Sequence, residues 1–421
     1  MYRGPFDRFA YGEPLAACDS SYGTDGSSEV FRLLPAERLE SDTTIQHFSL
    51  LDPGAVIGTV NAGGPSTFGD VVGAAVLPGE RIAIADAFAS EIRVFNVDAE
   101  HLATFGGKGD GPGEYKSIQG LIELPGDSLG VVDVGRFTVM DASSGAMALR
   151  VGLFSQQVHS LTGGISAHGS TQPIAYVGGG EMIGSVQVLP IFNRQDWRPG
   201  QFSIDTFAFQ LVVTDLSLER RPLAIGEYVA EIGYWYKFTG MSDGSSMGGR
   251  HPFTAGNAFA GGPSYFVQTT GMNYGILVRS LNGDTSRVLG YCAGLQPLPD
   301  SLIVQEIRHK GRELEALVDM RSAGEEQIAA ISHPSHVPGF ARVLIDPDER
   351  IWAGEFPLRN SPTTWHIFDL EGDLLARAIV KAGVELTSVG DGIAVGVFSD
   401  EYDVERVAVF RIPPIEPMIM R

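Results

Sequence analysis

Short apolar runs, separated by clusters of glycine, proline and acidic residues, recur along most of this chain. VVGAAVL at 71–77 leads into the turn PGER, then IAIAD, a second turn AFASE, and the runs IRVFNV and HLATF. β-branched and apolar residues fill the runs, and turn formers fill the gaps. This predicts four short antiparallel strands. The unit then repeats. Gly64-Pro65-x-x-Phe68 corresponds to Gly111-Pro112-x-x-Tyr115, Gly73 to Gly120, LPGE to LPGD, and Asp86 to Asp133, every pair offset by the same 47 positions (64 to 111, 86 to 133). A fixed period in the forties, carried by short β-runs and glycine turns, predicts propeller blades.

Later units drift but remain legible. The third holds IAYVG, MIGSVQV and FAFQLVVTD; the fourth SYFVQTTG, GILVRSL and TSRVLGY; the fifth ARVLIDPDERIWAGEF and TTWHIFDLEGDLLARAIV; the sixth LTSVGDGIAVGVF and VERVAVFRI. The sixth is one strand short, and IQHFSLLDPGAVIGTV (45–60) is expected to close the ring as its outer strand, which removes exposed sheet edges. The predicted fold is all-β: a six-bladed propeller of four-stranded blades spanning 46–412, after a partly irregular segment 1–45 and before a tail 413–421. One segment breaks the pattern. In 300–323, Ile303, Ile307, Leu314, Leu317 and Met320 stand near helical spacing, which predicts one or two short helices between blades four and five.

The stretch FGGKGDGPGEYKS (105–117) contains neither a P-loop pattern nor a G-x-G-x-x-G entering a helix. Its expected role is to carry the chain from the outer strand of one blade to the inner strand of the next, with Phe68 and Tyr115 anchoring two such crossings.

Charge narrows the partners. The 421 residues include 51 acidic and 30 basic side chains, a net charge of −21. Such a surface repels phosphate backbones and anionic membranes, so no nucleic-acid partner is expected. No apolar run is long enough for a transmembrane segment. The first residues do not read as a signal peptide as written. Leu15-Ala16-Ala17-Cys18 nevertheless matches a lipobox, either by chance or because the natural start lies upstream. Cys18 and Cys292 lie so far apart that neither a disulfide framework nor a metal-ligand cluster is expected.

IADAFASEIRVF keeps Asp86, Ile92, Val94 and Phe95 in the register of an NHL repeat, with Ser90 for the usual Asn and Glu91 for the usual Arg. VVDVGRFTVMD keeps the Arg as Arg136. With the Gly-Pro crossings and the closing DEYDVERVAVFRI, the chain from about 46 to 412 resembles the bacterial six-bladed β-propellers akin to NHL-repeat proteins. The resemblance implies the fold and favours an extracytoplasmic, periplasmic or lipoprotein, placement. It implies no common activity.

Alternating strand direction puts the D-to-A crossings and the B-to-C turns on one face. The short turns PGE, PGD, GGE, NGD, EGD and GDG fall on the other. The inserts 189–206, 227–251, 291–338 and 357–363 all fall on the first face, which is the expected binding face. Its candidate ligand-binding residues are Arg136, Arg194, Trp197, Arg198, Trp235, Tyr236, Glu355 and Arg359. Arg194, Trp197 and Arg198 read either as a clamp for an anionic or aromatic ligand or as a loop packed by its own Trp. Trp235 and Tyr236 read as a stacking platform or a lid. Asp400, Glu401 and Asp403 read as a solvated acidic turn.

No G-x-S-x-G or H-E-x-x-H motif is present, and His333 and His336 lie in extended loop, so no metal or cofactor is expected. The reading is a propeller that binds a small molecule or protein on its loop-rich face. The alternative is a Ca- or Zn-dependent hydrolase or lyase, lactonase-like or NHL-lyase-like, with its metal at the channel mouth.

Overall fold

The computed structural model describes residues 30–35, 44–59, 64–153, 155–159, 166–188, 202–217, 223–237, 246–250, 253, 256–282, 284–306 and 334–416. Three strands precede the first repeat: β1 (Val30–Pro35), β2 (Gln46–Leu50) and β3 (Ala55–Ile57). Blade 1 is β4 (Val71–Leu77), β5 (Arg81–Asp86), β6 (Glu91–Asn96) and β7 (His101–Gly106). Blade 2 is β8 (Ile118–Glu123), β9 (Ser128–Asp133), β10 (Arg136–Asp141) and β11 (Met147–Gly152). A separate hairpin, β12 (Ser155–His159) with β13 (Ser166–Ser170), follows. Blade 3 is β14 (Gln172–Val177), β15 (Glu181–Val188), β16 (Phe202–Asp215) and β17 (Leu223–Lys237), with β18 (Ser246–Arg250) as a fifth strand. Blade 4 is β19 (Ala258–Gly261), β20 (Tyr265–Thr269), β21 (Gly275–Ser280) and β22 (Thr285–Cys292). Blade 5 is β23 (Phe340–Ile345), β24 (Ile351–Glu355), β25 (Thr363–Phe368) and β26 (Leu374–Val380). Blade 6 is β27 (Glu385–Gly390), β28 (Ile393–Ser399) and β29 (Glu405–Arg411), completed by β3. The inner strands β4, β8, β14, β19, β23 and β27 touch their neighbours in that order around the ring.

The core lies in the six seams between blades rather than within any sheet. Ile82, Ile84, Phe95, Val395 and Val407 fill the seam between blades 6 and 1. Ala83, Val94, Tyr115 and Val131 fill that between 1 and 2, and Leu50, Trp352, Trp365 and Phe410 that between 5 and 6. A central strand is therefore buried on both faces, which is why β5, β6, β9 and β10 read as nearly continuous apolar runs.

The crossing at 105–117 behaves as expected. Tyr115 is buried, its O–H directed at Met140 Sδ, and Arg150 donates to the carbonyls of Gly111 (2.8 Å) and Glu114 (2.7 Å). Gly106 adopts φ 101°, and a Cβ there would stand 2.8 Å from the Ser90 carbonyl, so the close approach requires glycine.

Ring closure is more elaborate than the sequence indicated. The closing strand is the short β3, antiparallel to β29 (Val407↔Ile57). The residues just before it, which the sequence reading ran into the same strand, instead form β2, parallel to the outer strand of blade 5 (Phe48↔Ala378). Still further upstream, β1 lies parallel to the outer strand of blade 4 (Pro35↔Cys292). The N-terminal chain is thus a belt over the outer edges of three consecutive blades. It protects strand edges that would otherwise template association.

Two other expectations change, and a third, the helical insertion, is met as far as the described residues reach. The inserts 189–206 and 227–251 are in part strand. β16 pairs with β15 only as far as Val188↔Ala208, and from Phe202 to Phe207 it continues beside β17 alone, on the loop-rich side. FSIDTFAF and EYVAEIGYWYK are rich in aromatic and β-branched residues, and the pairing that extends them is not local. Residues 300–306 are helical, and the remainder of the expected helical insertion, to 323, lies outside the described residues. Finally, Cys292 is disulfide-bonded, against the expectation drawn from sequence separation. The chain's other cysteine, Cys18, lies outside the described residues. Separation along the chain was a poor guide because β1 brings the N-terminal chain alongside β22.

Candidate functional site

The two faces of the ring are used differently. On the short-turn face, adjacent blades are tied together at their turns. Arg411 pairs with Glu80 between blades 6 and 1, and Arg81 with Asp127 between 1 and 2. Gly79 N–H donates to Asp391 at 3.1 Å, and Tyr265 O–H lies 3.4 Å from Glu349. These groups hold the ring together and are already occupied.

On the loop-rich face, the end of each second strand is the informative position. In blades 1 and 2 it holds a buried aspartate. Asp86 accepts the backbone N–H groups of Gly69, Asp70, Phe88 and Ala89, and lies 3.4 Å from Arg93. Asp133 accepts those of Lys116 (3.1 Å), Ser117 (2.7 Å) and Val134 (2.9 Å) and pairs with Arg136. Each carboxylate satisfies otherwise orphaned amides of its crossing and turn, and a permanently charged arginine neutralises it. Both are structural locks.

Blade 5 has the same layout with different chemistry. Glu355 ends β24 where Asp86 ends β5. His366 follows Trp365 on β25 as Arg93 follows Ile92 on β6, with Gly354↔Trp365 matching Ala85↔Ile92 in register. Among the described residues, Glu355 accepts no backbone amide. Its Oε1 receives His366 Nε2–H at 2.8 Å and, more weakly, Tyr291 O–H at 3.4 Å across the seam from blade 4. Oε2 carries no bond among the described residues, and the side chain is 28% exposed.

The donors are held by an aromatic box. Tyr274 stacks on Tyr291 with centroids 4.6 Å apart, Phe340 meets both edge-on, and Tyr291 and Phe340 lie 5.1 and 5.3 Å from the His366 ring. Such offset and edge-on ring contacts fix orientation as well as burying area. Burial holds His366 below its ordinary value, the adjacent Glu355 only partly opposing this. It is therefore a neutral donor through Nε2 near pH 7. Burial, with Glu355 adding to it, pushes Tyr274 up to about 12 and raises Tyr291 further, so both keep their protons. His366 Nδ1 is buried without a partner, and so is Nε of Arg377, the residue paired with His366 on β26. Beside the seam, Phe253, Leu298, Val337, Leu302, Ile303, Phe356 and Leu358 pack the 300–306 helix onto the blade 5 turn, where Arg359 donates to Glu306 at 3.0 Å. The arrangement is a fixed carboxylate with one oxygen held by His366 and Tyr291 and the other without a partner among the described residues, on a side chain that is partly exposed.

Of the residues expected from sequence, Glu355 stands at this centre. Arg359 lies beside it, bound to Glu306. Arg136 belongs to the blade 2 lock and also reaches Asp110 at 3.3 Å. Trp235 and Tyr236 lie in β17 opposite Ser203 and Phe202, not in a loop. Arg194, Trp197, Arg198 and His333 lie outside the described residues. His336 faces Ser335 Oγ at 2.8 Å. Sequence reasoning missed His366, Tyr274 and Tyr291. Aligning RIAIAD…EIRVF with RIWAGE…TWHIF would have exposed His366, but nothing local marks the two tyrosines.

No protein-family model matches the chain, and no curated protein matches it. Solved structures do. A Bacteroides fragilis protein described as exported is 13% identical over 88% of this chain and 100% of its own, with a TM-score of 0.40. A member of the DUF4221 family from Bacteroides vulgatus is 9% identical over 86% and 94%, at 0.44. A calcium-binding protein, regucalcin, from Agrobacterium tumefaciens is 9% identical over 89% and 99%, at 0.33. These are likenesses of fold and carry no argument about activity. The chain is a six-bladed β-propeller, similar in architecture to these bacterial proteins.

Proposed function

We propose that this propeller binds a small organic cation, an amine or guanidinium compound, at the seam of blades 4 and 5 on its loop-rich face. One observation carries the reading. The carboxylate that locks the turn in blades 1 and 2 is, in blade 5, released from backbone amides, held by two protonated side chains on Oε1, and open at Oε2. An oriented carboxylate with a free lone-pair edge suits a donor-bearing cation, and the net charge of −21 favours its approach. The disulfide at Cys292 supports the extracytoplasmic placement, since such bonds persist in oxidising compartments. A Ca- or Zn-dependent hydrolase or lyase has less support. Among the described residues no three His, Cys, Asp or Glu side chains come together, so its ligand set would draw on residues outside them.

The test is thermal shift and calorimetry with butylamine, agmatine and choline, against glycerol and acetate, on the wild type and Glu355→Gln. The glutamine keeps an acceptor for His366 and removes the charge. Cation binding by the wild type, weakened about tenfold or more in the variant, supports the reading. No binding of any cation, or equal binding by both proteins, refutes it.

A further inference from the structure

Four B-to-C turns on the loop-rich face carry an exposed apolar side chain at the tip: Phe88 in blade 1 (78% exposed), Val134 in blade 2, Met272 in blade 4 and Tyr402 in blade 6 (73%). Phe88 and Tyr402 are the most exposed large apolar residues among those described. Scattered apolar side chains on a surface need no explanation, whereas neighbouring ones do.

These two flank a single crossing, the one from blade 6 to blade 1. The Phe88 side chain lies directly over Gly69, where an added Cβ would stand 2.7 Å from Phe88 Cβ and 2.8 Å from its ring. Two residues on, Val71 N–H donates to Glu405, at the start of the strand that follows the Tyr402 turn. Both turns are rigidly built. Asp86 accepts Phe88 and Ala89 N–H. Asp400 accepts Tyr402 N–H at 2.8 Å and Val404 N–H at 3.1 Å, and Asp403 holds a left-handed φ of 57°. The rings are thus displayed on pre-ordered turns, which lowers the entropy lost when they are covered.

The unpaired charge around them has one sign: Asp70, Glu401 and Asp403 are exposed and form no ion pair among the described residues. The nearby arginines are committed, Arg93 to Asp86 and Glu91, and Arg406 to Asp400. An acidic, aromatic surface repels nucleic acid and anionic lipid. A second copy of this chain would bring the same carboxylates against it. What complements it is a polypeptide whose lysines or arginines face the carboxylates while its apolar residues cover the rings. We propose that Phe88 and Tyr402, with Asp70, Glu401 and Asp403, form a docking surface for a cationic segment of a partner protein. This surface is independent of the Glu355 site.

The probe is a short fluorescein-labelled peptide alternating lysine and leucine, with glutamate–leucine and lysine–serine counterparts, read by anisotropy at low and high salt. The proteins are the wild type, Phe88→Ser/Tyr402→Ser, Glu401→Gln/Asp403→Asn, and Leu102→Ser as a control for an exposed apolar residue on the outer strand β7. Circular dichroism and thermal unfolding confirm that each is folded, as expected for exposed positions. The proposal expects the wild type to bind the lysine–leucine peptide more tightly than either counterpart, with affinity falling as salt rises. Both double variants should weaken it about tenfold or more, and Leu102→Ser should not change it. No binding to the wild type, equal binding by the Phe88/Tyr402 variant, or an equal loss in Leu102→Ser overturns it. So does a wild-type dimer, or vesicle binding, that the Phe88/Tyr402 variant abolishes, because the occupant is then a second copy or a lipid surface. Glu355→Gln should leave peptide binding intact, and Phe88→Ser/Tyr402→Ser should leave cation binding intact, so either proposal can fail alone.

Discussion

Replacing His366 by glutamine tests the neutral-donor role directly. Glutamine can still donate a hydrogen bond to Glu355, but it does not titrate. In the wild type, burial depresses the folded-state pKa of His366 below its ordinary 6.5. The unfolded chain therefore binds a proton that the folded chain refuses, and stability is lost as pH falls through and below 6.5. One proton corresponds to a slope approaching about 1.4 kcal/mol per pH unit, so the loss between about pH 7.5 and about pH 5.5 is at most about 1.4 kcal/mol. Glu355, Tyr291 and Arg377 face His366, with Tyr274 stacked behind Tyr291, and both tyrosines stay protonated throughout this range. Glu123 works in the opposite direction. It ends the inner strand β8, and desolvation pushes its carboxyl up to about 7, a hydrogen bond from Ser388 only partly opposing this. Its charged form is penalised in the folded state, so its contribution improves as pH falls. Because Glu123 and the other titrating groups are common to both proteins, the difference between their pH profiles isolates His366. Urea unfolding of wild type and His366→Gln across this range should show a wild-type loss that the variant lacks. Parallel profiles would refute a buried neutral histidine here, whatever the absolute stabilities.

Asp133→Ala, which strands three backbone amides and Arg136, should cost about 3–5 kcal/mol in urea unfolding. Glu355→Gln at the corresponding position should cost less than about 1 kcal/mol, because its partners keep an acceptor and the site is half-open; equal costs would remove the distinction between lock and site. Leu50→Ala on the belt strand β2, which is 1% exposed and packed among Trp365 and Ala378, should cost about 2–5 kcal/mol. A negligible effect would mean the belt is not part of the cooperative fold. Denatured, unreduced protein should show no reactive thiol, and Cys292→Ser should release one; a wild type with two free thiols would contradict the bond at Cys292.

Much of the architecture is local and was legible. The 47-residue repeat, the Gly-Pro crossings and the buried Phe68 and Tyr115 follow from strand runs and turn chemistry within one unit. The difference between the two faces followed from alternating strand direction. Glu355 was recognisable as a residue beside a turn on the right face. That it differs from Asp86 was not, because the difference lies in which partners reach it.

The amino-acid sequence alone determined the blade, its repetition and the face where the chain elaborates, because strand propensity and turn geometry act over a few residues. Only the tertiary structure decided the rest. The belt strands β1 and β2 land on blades 4 and 5, more than 200 residues downstream of themselves. Tyr291 and His366 converge on Glu355 from different blades, and Phe88 and Tyr402 flank the crossing from blade 6 to blade 1. A propeller buries its core between blades, so its seams join residues that no local period connects.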